Sequence, residues 1–212
     1  MEKNKIILIP AFNELPSLKI LCKQLNLQKI PFLILDDSST DGTSEWLQKN
    51  KIKFIRNNYN LGYEKNLLAG FKEILKYKKY KYIVTFDGDG QHRVEDLLRL
   101  EKSKNYLYND IIVCNRNQLN RLSENILSFF FDFKFNIKDP LSGFKIYKIS
   151  FLKKNVKFMS KNNFLIDLIV LGKKKNYKIS NFKIISKPRK HSRIGNNFFI
   201  HLKILKCLKY II

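Results

Sequence analysis

Tyr82-Ile83-Val84-Thr85-Phe86 runs straight into Asp87-Gly88-Asp89-Gly90-Gln91-His92. The first five residues are apolar, β-branched or aromatic, which is the composition of a short buried strand. Two carboxylates at i and i+2 stand where that strand ends, beside glycines that let the backbone turn tightly. Oxygen ligands crowded at a strand's carboxyl end suit a hard divalent cation, Mg2+ or Mn2+, which in turn neutralises a pyrophosphate.

The same letters have competing readings. An EF-hand calcium loop needs Gly at its sixth position and Glu at its twelfth. Counted from Asp87, those positions hold His92 and Leu98, which excludes it. The nucleophile motif of haloacid-dehalogenase-type phosphatases also follows an apolar strand with Asp-x-Asp. It expects a Thr two residues after the second Asp, and His92 supplies none in kind or in place. The third reading, a nucleotide-sugar site, depends on the rest of the chain.

On either side, strand and helix alternate. Ile6 to Ile9 reads as a strand closed by Pro10, and Pro16 opens a helix with Leu18, Leu21, Cys22 and Leu25 at helical spacing. Phe32 to Leu35 is a second strand, ending in Asp36-Asp37-Ser38-Ser39-Thr40-Asp41-Gly42-Thr43. Lys53 to Ile55 is a third, followed by a turn from Asn57 to Gly62 and a helical face of Leu67, Leu68, Phe71, Ile74 and Leu75. The Asp-x-Asp strand comes fourth, Val94 to Lys104 is its helix, and Ile111 to Val113 is a fifth strand. This rhythm predicts an α/β domain with a mostly parallel central sheet and helices on both faces. Ligands of such sheets bind at the carboxyl ends of the strands, where Glu14, the Asp36-Asp37 pair and the Asp87/Asp89 pair all fall.

The first strand ends in Pro10-Ala11-Phe12-Asn13-Glu14, with neither Gly-x-Gly-x-x-Gly nor a Walker lysine loop, which removes the default NAD and ATP readings. Acidic side chains beside a nucleoside accept hydrogen bonds from ribose hydroxyls or a base N–H. Asp36-Asp37 also fits an Asx-turn and helix cap ahead of Ser44-Glu45-Trp46. Asp41 is the expected cap and Asp37 the ligand candidate.

At 212 residues, with 44% hydrophobic and 13% aromatic content, the chain suits one domain with a proper core. Its formal net charge of +23 points to an anionic partner such as nucleic acid, a phosphate donor or an anionic membrane surface, or else to the general Lys, Asn and Ile bias of the sequence. Cys22, Cys114 and Cys207 are widely scattered, without metal-ligand spacing or the even count of a disulfide framework. Met1 to Lys5 leads into a short apolar strand rather than a signal-peptide core, and no apolar run reaches the roughly 18–20 residues that span a bilayer. A cytoplasmic protein is expected, soluble or peripheral on the inner face of the membrane. In the tail, residues 197–212 interleave bulky apolar side chains with Lys203, Lys206 and Lys209, which share one side at helical spacing. Such a basic amphipathic helix can lie on an anionic membrane; the alternative is a terminal helix packed on the domain or on a second subunit of a homodimer. Phe129-Phe130-Phe131-Asp132-Phe133 is expected in core packing rather than as added apolar surface.

Taken together, Ile9-Pro10-Ala11-Phe12-Asn13-Glu14, Asp36 to Thr43, Asn60-Leu61-Gly62-Tyr63, Asp87 to His92, Ser142-Gly143-Phe144-Lys145 and Ser192-Arg193-Ile194-Gly195 resemble, in order, the segments of family-2 glycosyltransferases of GT-A fold. The resemblance is strongest to dolichol- or polyprenyl-phosphate mannosyl- and glucosyltransferases. It implies a single GT-A domain over residues 1–196 with a Rossmann-like nucleotide-binding half. It implies an inverting transfer of a sugar from a UDP- or GDP-linked donor to a lipid phosphate or lipid-linked glycan, as in cell-envelope glycan biosynthesis. Pro10, Phe12, Glu14 and Asp37 would line the nucleoside pocket. Asp87, Asp89 and Gln91 would hold the metal and donor pyrophosphate, with Gly88 giving backbone clearance. Arg116 matches the family's arginine after the fifth strand, Arg193 its basic residue near the end, and Arg189 that residue's upstream partner. Asp167, in Phe164-Leu165-Ile166-Asp167-Leu168, is the candidate general base for a hydroxyl acceptor, with Asp139 a weaker candidate; a lipid-phosphate acceptor needs no base. Many lipid-phosphate members continue into transmembrane helices, whereas this sequence ends at Ile212.

Two rival readings make different predictions. A nucleotidyltransferase would also use Asp-bound metal but would release pyrophosphate rather than a nucleoside diphosphate. A nucleic-acid-binding module, suggested by the charge and by Tyr and Phe among Lys, predicts metal-independent and steeply salt-sensitive binding. It gives no reason for acidic clusters at the ends of successive strands.

Overall fold

Alternation along the strands sorts apolar residues onto two faces. The computed structural model describes residues 4–119, 121–155, 164–186 and 198–210. The elements run β1 (Lys5–Ala11), α1 (Leu15–Leu27), β2 (Phe32–Asp36), α2 (Thr43–Lys49), β3 (Phe54–Arg56), α3 (Tyr63–Leu75), β4 (Tyr82–Thr85) and α4 (Val94–Ser103). They continue with β5 (Ile111–Arg116), α5 (Leu122–Phe135), β6 (Lys145–Lys148), α6 (Ile149–Asn155), α7 (Phe164–Lys174), β7 (Ile179–Ile184) and α8 (Phe198–Leu205). The strands form one seven-stranded sheet in the order β3-β2-β1-β4-β6-β5-β7. All neighbours are parallel except β6, which runs antiparallel between β4 and β5. This is a single α/β domain with a mostly parallel central sheet, as the alternation of strand and helix predicts.

Ile7, Ile9, Val84, Ile112 and Cys114 face one way and bury α1, α2 and α4 through Leu18, Leu21, Leu25, Leu47, Leu97 and Leu100. Ile6, Leu8, Ile83, Ile111 and Val113 face the other and cover α3, α6 and α7 through Leu67, Phe71, Leu152, Leu168 and Ile169. The period of two that marks a strand therefore builds both halves of the core. All three cysteines are buried thiols, and burial alone pushes Cys22 up to about 12, so it stays protonated and unreactive.

Two details depart from expectation. Pro10 lies inside β1, paired in register with Leu35, rather than closing the strand. Ile7 N donates to Pro31 O and Asp37 N to Ala11 O, so the odd-numbered residues face β2. Pro10 therefore turns its missing N–H toward β4, whose pairing with β1 stops at Leu8–Thr85. The second departure is the phenylalanine run. Phe131 is buried, but Phe129, Phe130 and Phe133 are exposed on the outer side of α5, against the expected core packing. The inner side of α5 carries a third cluster, in which Leu127 and Phe131 meet Ile166 and Val170 of α7 and Cys207, Ile204 and Leu208 of the tail. The tail thus packs on the domain through its apolar residues; after α8 it tightens into a 3-10 turn over Lys206–Tyr210. Among the described residues no helix is long and apolar enough to cross a membrane.

Candidate active site

Three loops at the carboxyl ends of β1, β2 and β4 are tied to one another by side chains. Asn13 Oδ1 accepts from Thr40 N at 2.8 Å, and Asn13 N donates to Ser39 Oγ at 2.9 Å. Asp41 accepts from Leu15 N at 2.9 Å and Thr43 N at 3.2 Å, joining the first turns of α1 and α2. Burial pushes its carboxyl up, but the hydrogen bonds from Thr43 and Leu15 outweigh that and hold it below the usual value. The N-cap position of α2 itself is Gly42, so Asp41 acts from one residue outside the helix. Asp36 is buried and accepts from Ser39 N and the Ser44 hydroxyl.

Asp37 controls the next loop. Its buried carboxylate accepts from Asn57 Nδ2 at 2.8 Å, Leu61 N at 2.8 Å and Gly62 N at 2.9 Å. That fixes the turn ahead of α3 and delivers Tyr63, the first residue of α3. Tyr63 donates its hydroxyl to Asp87 Oδ1 at 2.8 Å. His92 Nε2 meets the other oxygen, Oδ2, at 3.1 Å, and must be the donor because a carboxylate only accepts. The His92 ring is buried edge-on between Phe86 and Phe144. Burial pushes Asp87 up, yet His92, Tyr63 and the charge of Arg116 together bring its pKa below the usual carboxylate value. Asp87 is therefore an anion at neutral pH, held from two sides.

Two glycines make room for it. A β-carbon at Gly143 would lie 2.0 Å from Asp87 Oδ2, and one at Gly88 would lie 2.8 Å from Glu14 Oε2 and 3.2 Å from Pro10 O. Thr85 holds the first contact in place: its hydroxyl donates to Gly143 O at 2.7 Å and accepts from Lys145 N at 3.2 Å. Pro10, Glu14, Asp87, Gly88, Asp89 and Gln91 are thereby gathered at the ends of β1 and β4, with Phe12 half-buried beside them. Asp89 Oδ1 accepts from Gln91 N at 3.0 Å, closing the loop on itself.

A second charged cluster lies behind the first. Arg116 grips Asp139 with Nε at 2.8 Å and an amino nitrogen at 3.0 Å, and reaches Glu124 at 3.3 Å. Arg121 holds the other oxygen of Glu124 at 2.5 Å. Burial pulls Arg116 down, but Asp139 and Glu124 outweigh it and hold it above its ordinary value. Its guanidinium is thus engaged by protein carboxylates, and Asp139 is buried within that pair. Lys145 is fully buried nearby and donates to Ser142 O; burial pushes its ammonium down to about 8, with Asp139 and Asp87 opposing. Arg116 also lines a cleft of about 720 Å3 with Asn115, Asn117, Gln118, Asn125, Ser128, Lys138 and Lys183. Apart from Leu119 the lining is polar, and it carries three cations.

Asp167 lies in the first turn of α7, where it accepts the hydroxyl of Tyr210. Arg189 and Arg193 lie outside the described residues. Tyr63, His92 and Lys145 stand in sequence motifs that assign them no role of their own. Nothing local marks Tyr63, 24 residues before Asp87, as its partner.

A metal fits here as a half-site. Among the described residues no three His, Cys, Asp or Glu side chains form a complete cage. Mg2+ and Mn2+ are commonly held by one or two carboxylates with substrate phosphates completing the shell, and Asp87, Asp89 and the Gln91 amide are oxygen donors of that kind.

Comparison with known proteins gives a family and a fold. The sequence model of glycosyl transferase family 2 matches residues 6–166. An uncharacterized protein of Methanocaldococcus jannaschii is 33% identical over 70% of this chain and 73% of its own length. The undecaprenyl-phosphate mannosyltransferase of Micrococcus luteus is 29% identical over 45% of this chain and 42% of its own. Among solved structures, glucosyl-3-phosphoglycerate synthase from Mycobacterium tuberculosis, in complex with Mn2+, UDP and glucosyl-3-phosphoglycerate, superposes with a TM-score of 0.74. That match covers 99% of this chain and 80% of the synthase at 11% identity, a likeness of fold.

Proposed function

Because the chain belongs to glycosyl transferase family 2, we propose that this glycosyltransferase moves a sugar, with inversion, from a UDP- or GDP-linked donor to a lipid phosphate or a lipid-linked glycan at the inner face of the membrane. The observation that carries the reading is the clamped Asp87: Tyr63 and His92 hold its two oxygens beside Asp89, Gln91 and the clearance at Gly88. Pro10, Phe12 and Glu14 line the nucleoside side, and Asp37 shapes it by fixing the turn before α3. Asp87, Asp89 and Gln91 would hold Mg2+ or Mn2+, which when bound neutralises the charge growing on the departing nucleoside diphosphate. Arg193 and Arg189 are assigned by resemblance to the same anionic leaving group. Arg116 positions: held by Asp139 and Glu124, it forms a rigid wall of the polar cleft while its charge acts on Asp87. The cleft, with Lys138, Lys183 and several amides, suits a phosphate-bearing acceptor. The synthase complexes with UDP, Mn2+ and a phosphorylated sugar acid, and the undecaprenyl-phosphate relative, support a phosphorylated acceptor. Asp167 is the candidate base where the acceptor is a hydroxyl.

The test is thermal stabilisation by UDP, GDP, CMP and dTDP, each with Mn2+ and with EDTA. Ligand that binds only the native state raises the melting point by mass action. One nucleoside diphosphate should stabilise the protein, and the shift should vanish in EDTA and in Asp89→Ala. No shift with any of the four would sink the donor site. Release of pyrophosphate during turnover would instead mark a nucleotidyltransferase.

A further inference from the structure

Helix α5 carries phenylalanines of two kinds. Phe131 is fully buried, whereas Phe129 is 68%, Phe130 39%, Phe133 86% and Leu122 73% exposed. At about 100° per residue, Leu122, Ile126, Phe129, Phe130 and Phe133 fall within an arc about 100° wide, opposite Leu127 and Phe131. The Phe129 and Phe130 rings pack edge-to-face, with centroids 5.5 Å apart, and so form one continuous apolar ridge. The opposite side of the helix is already covered by α7 and the tail.

The charges around this ridge have one dominant sign. Of the two carboxylates on α5, Glu124 is buried and paired with Arg116 and Arg121, and Asp132 lies off the stripe. Lys134 flanks Phe130 on the helix, and Lys206 and Lys209 are exposed on the 3-10 turn that packs against α5. The whole chain carries a formal +23. A cation-rimmed face opposed to its own copy would set like charges against one another. An anionic lipid surface meets both the rim and the aromatic ridge, because apolar side chains enter the headgroup boundary while lysines stay at the phosphates.

We propose that the outer face of α5 is a membrane-docking surface: Leu122, Phe129, Phe130 and Phe133 insert at the interface of an anionic bilayer, with Lys134, Lys206 and Lys209 at its headgroups. The tail, which the sequence marks as the amphipathic element, buries its apolar residues on the protein and leaves Lys206 and Lys209 exposed. This deepens the lipid-phosphate reading and rests on it for its biological sense. Asn125 and Ser128, on the flank of the same helix, line the polar cleft, so a phosphate seated there would have its lipid chain beside the ridge.

The experiment is sedimentation with vesicles of phosphatidylcholine alone and of phosphatidylcholine with phosphatidylglycerol, with no nucleotide or acceptor present. The wild type should bind the anionic vesicles, and Phe129→Ser with Phe133→Ser should weaken that binding at least ~10-fold. Lys206→Ser with Lys209→Ser should weaken it less and flatten its salt dependence. Leu27→Ser with Tyr59→Ser, exposed positions elsewhere, should change nothing. Circular dichroism and melting point check that each variant folds. Equal binding by the phenylalanine variant, or no binding by the wild type, overturns the proposal. So does a dimer that this variant dissolves while vesicle binding persists. Transfer to a detergent-solubilised lipid phosphate, measured separately, tests the acceptor reading, so the two can fail independently.

Discussion

Gly143 and Asp87 stand so close that a β-carbon on the glycine would lie 2.0 Å from the carboxylate's Oδ2. The contact is backbone against a clamped side chain, so neither partner yields cheaply. Thr85 pins Gly143 O, while Tyr63 and His92 hold Asp87. Gly143→Ala must displace the carboxylate, and metal-dependent nucleotide binding should fall by ~100-fold or more, as for a misplaced catalytic group. Isothermal titration of UDP or GDP with Mn2+ measures it; near wild-type affinity would refute the role of this contact.

Tyr63→Phe removes one donor to a charged acceptor and leaves the ring. A hydrogen bond to a charged group contributes about 1.5–3 kcal/mol, so nucleotide affinity in Mn2+ should drop by roughly 10-fold or more. In EDTA the two proteins should behave alike. Equal affinities in Mn2+ would show that Asp87 needs no such anchor.

Arg116 is expected to matter for stability before it matters for chemistry. Arg116→Ala leaves Asp139 and Glu124 buried with less compensation, which costs about 3–5 kcal/mol when one partner of a buried pair is removed. Arg116→Ala with Asp139→Ala should recover part of that loss. Urea denaturation of the two variants decides; a single mutant as stable as wild type would show the pair to be solvated.

Lys145 carries a pH signature opposite in sign to the usual lysine. Its native pKa of about 8 lies below the ordinary lysine value of 10.5. Between those values the unfolded chain therefore binds the extra proton, and stability attributable to this residue rises with pH. The penalty is fully present below about 8 and gone above 10.5. Compared with Lys145→Met, the wild type should gain stability across that window in urea titrations. A pH-independent difference would contradict the buried ammonium.

Asp167 separates the two acceptor chemistries. If a hydroxyl is the acceptor, Asp167→Asn should lower kcat by about 100-fold or more, the usual contribution of a general base. If a phosphate is the acceptor, kcat should be unchanged, because the attacking oxygen is already ionised. The Tyr210 hydroxyl can bond either side chain, so the fold should survive.

The apolar runs of β1, β2, β4 and β5, and the acidic residues at the ends of the first three, were legible because local composition carries them. Period-two burial dictates strands, and ligands of such sheets bind where the parallel strands end. The same local view could not find β6 and β7, short strands in which lysines and polar residues interrupt the apolar pattern. Their pairing is decided by neighbours distant in sequence. Nor could it tell which phenylalanines of α5 face inward, since helical phase fixes relative positions and only the packed partners choose the buried side.

The amino-acid sequence by itself determined the parallel α/β half and the position of the Asp87 and Asp89 carboxylates at the end of one of its strands. Tertiary structure alone decided how they are held. Tyr63 comes from α3, His92 from the loop itself and Gly143 from the entry to β6, converging on one carboxylate. It also turned Arg116 toward Asp139 and the tail toward α5. Hydrogen bonds, ion pairs and steric clearances act over a few ångströms of space, and spacing along the chain does not record which residues will share that space.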